Sequence, residues 1–304
     1  MKAPSITILF CCAAFLQTEA AVVTVVSQSN LTFRGDTTYY VTNAVTLSGV
    51  TTFEEGTVIK YAAGASLSVS SVNWLGTSYH PAILTAKDDN SVGATISGST
   101  GNPSGYYANP ALSFSGSPPQ TWEMANFRIA YAQQAITASS VSFTLSLYDG
   151  QIVNCANGIH APGQGNVFLR NVLFAGDQTA FNDPALVSFE GENVTFGGLT
   201  SYVPSFLISF YNSGSQPFSF YFKNCIFANY YSYMQGGTPN PNQTLNGDHN
   251  GFSSLSATPP TPFGNTGSQT IAPTGTAVFQ TAGAGYYYLT ASSVFHGQIG
   301  RAHV

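Results

Sequence analysis

Five polar residues recur along this chain together with their surroundings: Asn126, Asp149, Asn171, Asn193 and Asn224, at gaps of 23, 22, 22 and 31 residues. Self-similarity at such a period constrains the fold more than any local propensity, because it implies one small unit stacked on copies of itself. Take each polar residue as position zero. Position minus four then carries Trp122, Leu145, Val167, Phe189 and Phe220, and minus two carries Met124, Leu147, Leu169, Gly191 and Phe222. Plus one carries Phe127, Gly150, Val172, Val194 and Cys225, and plus three carries Ile129, Ile152, Phe174, Phe196 and Phe227. Plus ten carries Ile136, Ile159, Phe181, Val203 and Met234. Of these positions all but Gly150 and Gly191 are apolar, in a chain whose overall hydrophobic share is 43%.

Apolar residues at minus four and minus two mark a strand with every second side chain inward, and plus one with plus three marks a second strand. The Asn or Asp between them sits at a corner, since these residues tolerate the left-handed backbone region and bond neighbouring backbone groups. Plus five holds Tyr131, Asn154, Gly176, Gly198 and Asn229, mostly turn formers, and predicts a second corner before a third strand through plus ten. Three short strands per coil of about 22 residues describe an all-β parallel β-helix, in which stacking at about 4.8 Å makes the core continuous. β-Propeller blades need about 40 residues or more, and the fixed Leu-rich consensus of leucine-rich repeats is missing.

The register also bears on the cysteines. Removal of an N-terminal signal leaves Cys155 and Cys225. Three coil steps would separate them by about 14 Å, and bonded cysteines need Cα atoms within about 7 Å. Two free thiols are expected, with Cys225 a core residue.

That signal reads from the first residues. Lys2 is followed by the short apolar run Ile6 to Phe15, which contains Cys11 and Cys12, and Thr18-Glu19-Ala20 offers a cleavage site. Residues 1–20 are therefore expected to be a signal peptide, an uncleaved anchor being the alternative, with no other membrane span. Charged residues make up 7% of the chain against about 25% in an average soluble protein, so Ser, Thr, Asn, Gly and Tyr must supply most of the surface. Seventeen Tyr and 22 Phe argue against disorder, and eight Lys plus Arg leave no basic patch for nucleic acid.

The repeat resembles the right-handed parallel β-helix superfamily, also called pectate-lyase-like. The segment TTFEEGTVIKYAAGASLSV (Thr51 to Val69) resembles a recurring element of large secreted bacterial β-helix proteins, a Thr-Val-Ile-Lys strand followed by Gly, Ala and alternating apolar residues. PAILTAKDDNSVG (Pro81 to Gly93) is similar to that family's apolar strand running into an Asp-rich turn, and GYYYLTASSVFHG (Gly285 to Gly297) to the segment after its last regular coils. The resemblance implies a right-handed helix in a secreted or cell-surface bacterial protein. It implies no particular chemistry, because most such proteins have none assigned.

One β-helix domain is expected over 21–298. Val22 to about Val50 begins or caps it, 94–110 is a loop, and Phe114 ends a coil. Regular coils span about 122–234, with Pro204 to Ser219 an inserted loop, and 235–275 is loop-rich. The last six residues, IGRAHV (299–304), are what the string ATC GGA AGA GCA CAC GTC encodes. This looks like a sequencing-library adapter, so the tail is expected to be non-native and the natural chain to continue.

A polysaccharide lyase of this superfamily would carry calcium-binding carboxylates and a basic residue around the third-strand face. Here plus nine carries Ala135, Gly158, Ala180, Tyr202 and Tyr233, and plus eleven carries Thr137, His160, Asn182, Pro204 and Gln235. Asp183 is the one nearby carboxylate, whereas calcium takes six to eight oxygens, and no carboxyl pair for glycoside hydrolysis stands out. No metal, cofactor or catalytic residue is expected. Tyr202 and Tyr233, in one column, are the candidate sugar-contacting residues, with His160 and Asp183 beside them. Arg170, Glu192 and Lys223 at minus one should form an outward ion-pair ladder. Asp88-Asp89 reads as a solvated turn, and Gly247-Asp248-His249-Asn250-Gly251 lacks the companions of a polygalacturonase motif. The expected function is a secreted non-catalytic scaffold, a surface, adhesion or carbohydrate-binding module whose partner is a polysaccharide or a cell-surface component. The alternative is a polysaccharide lyase or glycoside hydrolase whose catalytic residues lie in divergent loops or a missing C-terminal part.

Overall fold

The computed structural model describes residues 21–297 apart from 118, 183, 185–186, 199–204, 210–216, 231, 236–240, 255–269, 274–276 and 283–284. Every regular element among them is a strand, wound into a parallel β-solenoid of about 9 turns at roughly 23 residues per turn. Fourteen strands form one sheet and ten a second. A C-terminal hairpin, Phe279–Ala282 with Gly285–Leu289, is the one antiparallel pair among these strands.

The first and second strands of each central coil belong to the same sheet. Gln120–Ala130, Phe143–Val153 and Gly165–Asp177 run unbroken through the corner, while later coils split there, as in Phe218–Lys223 and Ile226–Tyr230. The corner is a single residue in the left-handed region: φ is 55° at Asn126, 49° at Asp149, 54° at Asn171, 59° at Asn193 and 55° at Asn224. His249, at 51°, adds a sixth. An Asn or Asp takes this conformation at small cost, and Asn171 Nδ2 donates to Asp149 Oδ1 on the coil before it at 2.9 Å. The second corner has the same device at Tyr131, Asn154, Gly176 and Asn229.

The plus-three column extends beyond the five repeats, buried along its length and exposed at its two ends, Val23 and Ile271. Val23, Tyr39, Ile59, Leu84, Ile129, Ile152, Phe174, Phe196, Phe227, Phe252 and Ile271 stand opposite one another rung by rung. The four phenylalanines stack at 5.1, 4.9 and 5.1 Å between centroids. The rung spacing of a parallel sheet is close to a favourable ring separation, so aromatic columns suit this core. The two glycines among the inward positions make room for neighbouring rings. A Cβ on Gly150 would lie 2.2 Å from the Phe127 ring, and one on Gly191 would lie 2.4 Å from Phe222.

One assignment changes. Phe181 pairs with Ile208, and Ile208 with Met234, so Ile208 rather than Val203 fills plus ten of the fourth coil. Phe206–Ser209 is the third strand there, so the nine extra residues of this coil divide, five before that strand and four after it, instead of all following at Pro204 to Ser219. Val203 satisfies the spacing counted from the corner and Ile208 does not, but the backbone ladder selects Ile208. Coils also extend outside 122–234: Thr38–Val41, Val58–Tyr61 and Ala82–Ala86 precede, and Gln243–Asp248 with Gly251–Ser254 follow within the stretch read as loop-rich. Cys155 and Cys225 are both free and buried. No helix of the described residues is long and apolar enough to cross a membrane. Residues 1–20 and the tail 299–304 lie outside the described residues.

Two segments cover the outer face of the second strands. The loop after Ala86 lies over the early coils, with Lys60 fully buried beneath it. At the other end, Val278 and Phe295 pack on Ile226 and Ala228, with Phe279 and Leu289 of the hairpin against this cluster. The outer face of the first strands is open between Tyr148 and Lys223.

Candidate functional site

On that open face, alternation sends minus one and minus three outward. Tyr148, Arg170, Glu192, Lys223 and Asp248 stand opposite one another on successive strands. Beside them run Ser146, Phe168, Glu190, Tyr221 and Asn246. Together they line a shallow groove of about 290 Å³ formed by Tyr148, Phe168, Arg170, Glu190, Glu192, Tyr221 and Lys223 with Leu169 and Gly191.

The charges in this groove are not spent on one another. Ion pairing would be the expected use of alternating signs on adjacent rungs, but among the described residues the ion pair found is His249 Nδ1 with Asp248 Oδ1 at 2.8 Å. Arg170 lies over the Tyr148 ring instead, 4.8 Å from its centroid, a cation–π contact that leaves its N–H donors available. Glu190, Glu192 and Lys223 are exposed, and Tyr221 is 42% exposed. The groove therefore presents aromatic surface from Tyr148, Phe168 and Tyr221 beside two carboxylate acceptors and two cationic donors. Such a set can stack on a ring and bond its hydroxyls.

Glu190 and Glu192 are also a carboxylate pair that the column reading did not bring out. They stand two residues apart on one strand and share one wall of the groove. A hydrolytic pair must flank the scissile bond from both sides.

The third-strand candidates fare differently. His160 is half-buried opposite Thr137 and Asn182, and Asp183 and Tyr202 lie outside the described residues. The register puts Leu207, not Tyr202, below Ala180 and above Tyr233, so the tyrosine column does not exist as such. Plus nine is also a core position: Ala135, Ala180 and Leu207 are fully buried, and a Cβ on Gly158 would come within 2.9 Å of the Phe174 ring. The sharp second corner turns this residue inward along with plus ten.

The acidic turn is buried rather than solvated. Asp88 Oδ2 accepts from the Tyr107 hydroxyl at 2.6 Å and Oδ1 from Thr100 N at 2.7 Å. These bonds, the Tyr107 one foremost, hold its carboxyl below the usual range. Asp89 accepts from Thr85 Oγ1 and from Ser91. Asp248-His249-Asn250 forms the sixth corner, with Asn250 fully buried. No cluster of three or more metal-ligating side chains occurs among the described residues.

The fold and groove define the class: a parallel β-solenoid with an open, aromatic and charged strip along one face. Comparison with protein-family models, curated proteins and solved structures finds no match.

The minus-one column was legible from the repeat. Phe168, Glu190 and Tyr221 were not singled out, although the same alternation at minus three marks them as outward. Two aromatic residues at outward strand positions were the available signal.

Proposed function

We propose that this chain is an exported, non-catalytic scaffold of the right-handed parallel β-helix, pectate-lyase-like kind, in the manner of secreted bacterial surface proteins, and that it binds a polysaccharide along the Tyr148–Lys223 groove. The observation that carries this reading is the set of exposed, unpaired charges interleaved with aromatic rings. Exposed charges gain little stability from pairing, but aromatic rings left uncovered beside them form the kind of surface that takes a partner. A regular polymer laid along the solenoid axis meets a new rung about every 4.8 Å, so repeating sugar units can meet repeating side chains. Glu190 and Glu192 favour binding over hydrolysis because they share one strand and one face.

The test is a panel of acidic and neutral polysaccharides, with and without calcium, assayed for retardation in affinity electrophoresis and for release of reducing or unsaturated ends. Binding without turnover, weakened by Tyr221→Ala, supports the reading. Product release at catalytic rates that Glu190→Gln abolishes would replace it with the glycoside hydrolase alternative.

A further inference from the structure

At several left-handed corners the residue that follows gives its backbone N–H to a side chain one coil further on instead of to the sheet ladder. Ala132 and Val194 donate in this way to the Sγ atoms of Cys155 and Cys225, at 3.5 and 3.4 Å, and at two further places the acceptor is an oxygen. Cys225 follows Asn224, and its N–H donates to Asn250 Oδ1 at 2.9 Å; Asn250 Nδ2 in turn donates to the Phe222 carbonyl at 2.8 Å. Cys155 follows Asn154, and its N–H donates to Asp177 Oδ1 at 2.7 Å. Asp177 thus holds at the second corner the place that an amide holds at the first. It is fully buried, and its Oδ2 has no partner.

A buried carboxylate with an unsatisfied oxygen is costly, and the same group costs much less once it carries a proton. The titratable groups around it are the Cys155 thiol and the phenols of Tyr106 and Tyr287. None of them brings positive charge. Burial raises the Asp177 carboxyl well above the usual range, against the one opposing Cys155 N–H bond. Tyr106 belongs to the loop over the early coils, and Tyr287 to the C-terminal hairpin, its ring against Gly197 and its hydroxyl bonded by the backbone of Gly176. The two segments that cover the outer face therefore both reach the surroundings of this one carboxyl.

We propose that Asp177 is a proton-operated fastening: as a neutral acid it holds the second corner and the segments laid over it, and on ionising it loosens them. The sign follows from linkage. An acid whose proton is held more tightly in the folded state gives stability that is complete below the ordinary carboxylate range. That stability is lost as pH rises through the folded-state value.

The test compares the full chain with Asp177→Asn, which keeps the Cys155 bond and removes the titration. Melting temperature and amide exchange, corrected for intrinsic rates, are followed from about pH 4 to about pH 9. The wild type should lose melting temperature as pH rises, with faster exchange around Tyr106 and Tyr287, and Asp177→Asn should show a flat profile. Equal pH slopes in the two proteins would overturn the proposal. Should Asp177→Asn fail to fold, infrared spectra of the wild type at mildly acidic pH decide the matter. A buried protonated carboxyl band that fades together with protection around Tyr287 supports the fastening, and absence of that band overturns it.

Discussion

The side chain of Lys60 donates to the backbone carbonyl of Asp89 at 2.7 Å, and to that of Ala94 at the same distance. Lys60 and Asp89 come from separate sequence elements, the Thr-Val-Ile-Lys strand and the Asp-rich turn. Lys60 points away from the core and is nevertheless fully buried, because the loop lies on top of it. Burial holds its ammonium below the ordinary lysine range, with Asp89 opposing. Lys60→Met keeps the apolar stem but strips two buried carbonyls of their donor. A loss of about 2–4 kcal/mol follows, measured by chemical denaturation, with new proteolytic cleavage between Lys87 and Tyr107. Unchanged stability and an uncut loop would refute the clamp.

Gly150 and Phe127 share one space on adjacent rungs. Gly150→Ala places a methyl group 2.2 Å from the Phe127 ring, and overpacking of this kind costs about 1–3 kcal/mol. Phe127→Leu alone should also destabilise, by loss of packing. Combined, the two should cost less than their sum, and a double-mutant cycle with a coupling of about 1 kcal/mol checks the relationship. Strict additivity would show that the ring moves aside freely.

Asn250 satisfies a donor at Cys225 and an acceptor at Phe222 with one side chain. Asn250→Asp can do both only while protonated. The variant should be destabilised by about 3 kcal/mol near neutral pH, and should recover most of that as pH falls, which urea melts at several pH values would reveal. The Cys225 thiol beside it, pushed up to about 12 by burial, should stay unreactive toward thiol reagents until the chain unfolds. Labelling at native protein concentrations without loss of structure would contradict this.

How much of this was legible depends on what the chain repeats. Phe174, Phe196 and Phe227 were readable because inward packing leaves one kind of residue at fixed offsets. The corners were readable because the left-handed region admits few residues, and the same rule extends to His249, an unusual corner residue. Val203 was read in place of Ile208 because a longer second corner changes no inward chemistry, and only hydrogen-bond pairing tells two apolar residues apart. The same spacing aligns Tyr202 with Tyr233 in sequence, where the ladder sets Leu207. Lys60 and Asp89 were each visible, but their contact was not, since the loop between them is held by backbone carbonyls that any residue supplies. The groove was half-visible: its charged column was read, and its aromatic column lay two positions away on the same strands.

Phe168 and Tyr221 stand on either side of Glu190 in that aromatic column. Neither is part of the core, so replacing them should leave stability within about 0.5 kcal/mol. Removal of an aromatic platform from a ring-stacking site should weaken binding of the polysaccharide selected from the panel by about tenfold per ring, if each stack is worth roughly 1–1.5 kcal/mol. Arg170→Ala should weaken binding as well and also free the Tyr148 ring, whereas Arg170→Lys, with its compact ammonium, should recover only part. The order of effects distinguishes stacking from charge. If the aromatic variants bind as the wild type does while the Arg170 and Lys223 variants fail, the groove recognises its ligand by charge alone, and the ring-stacking account of this face is wrong.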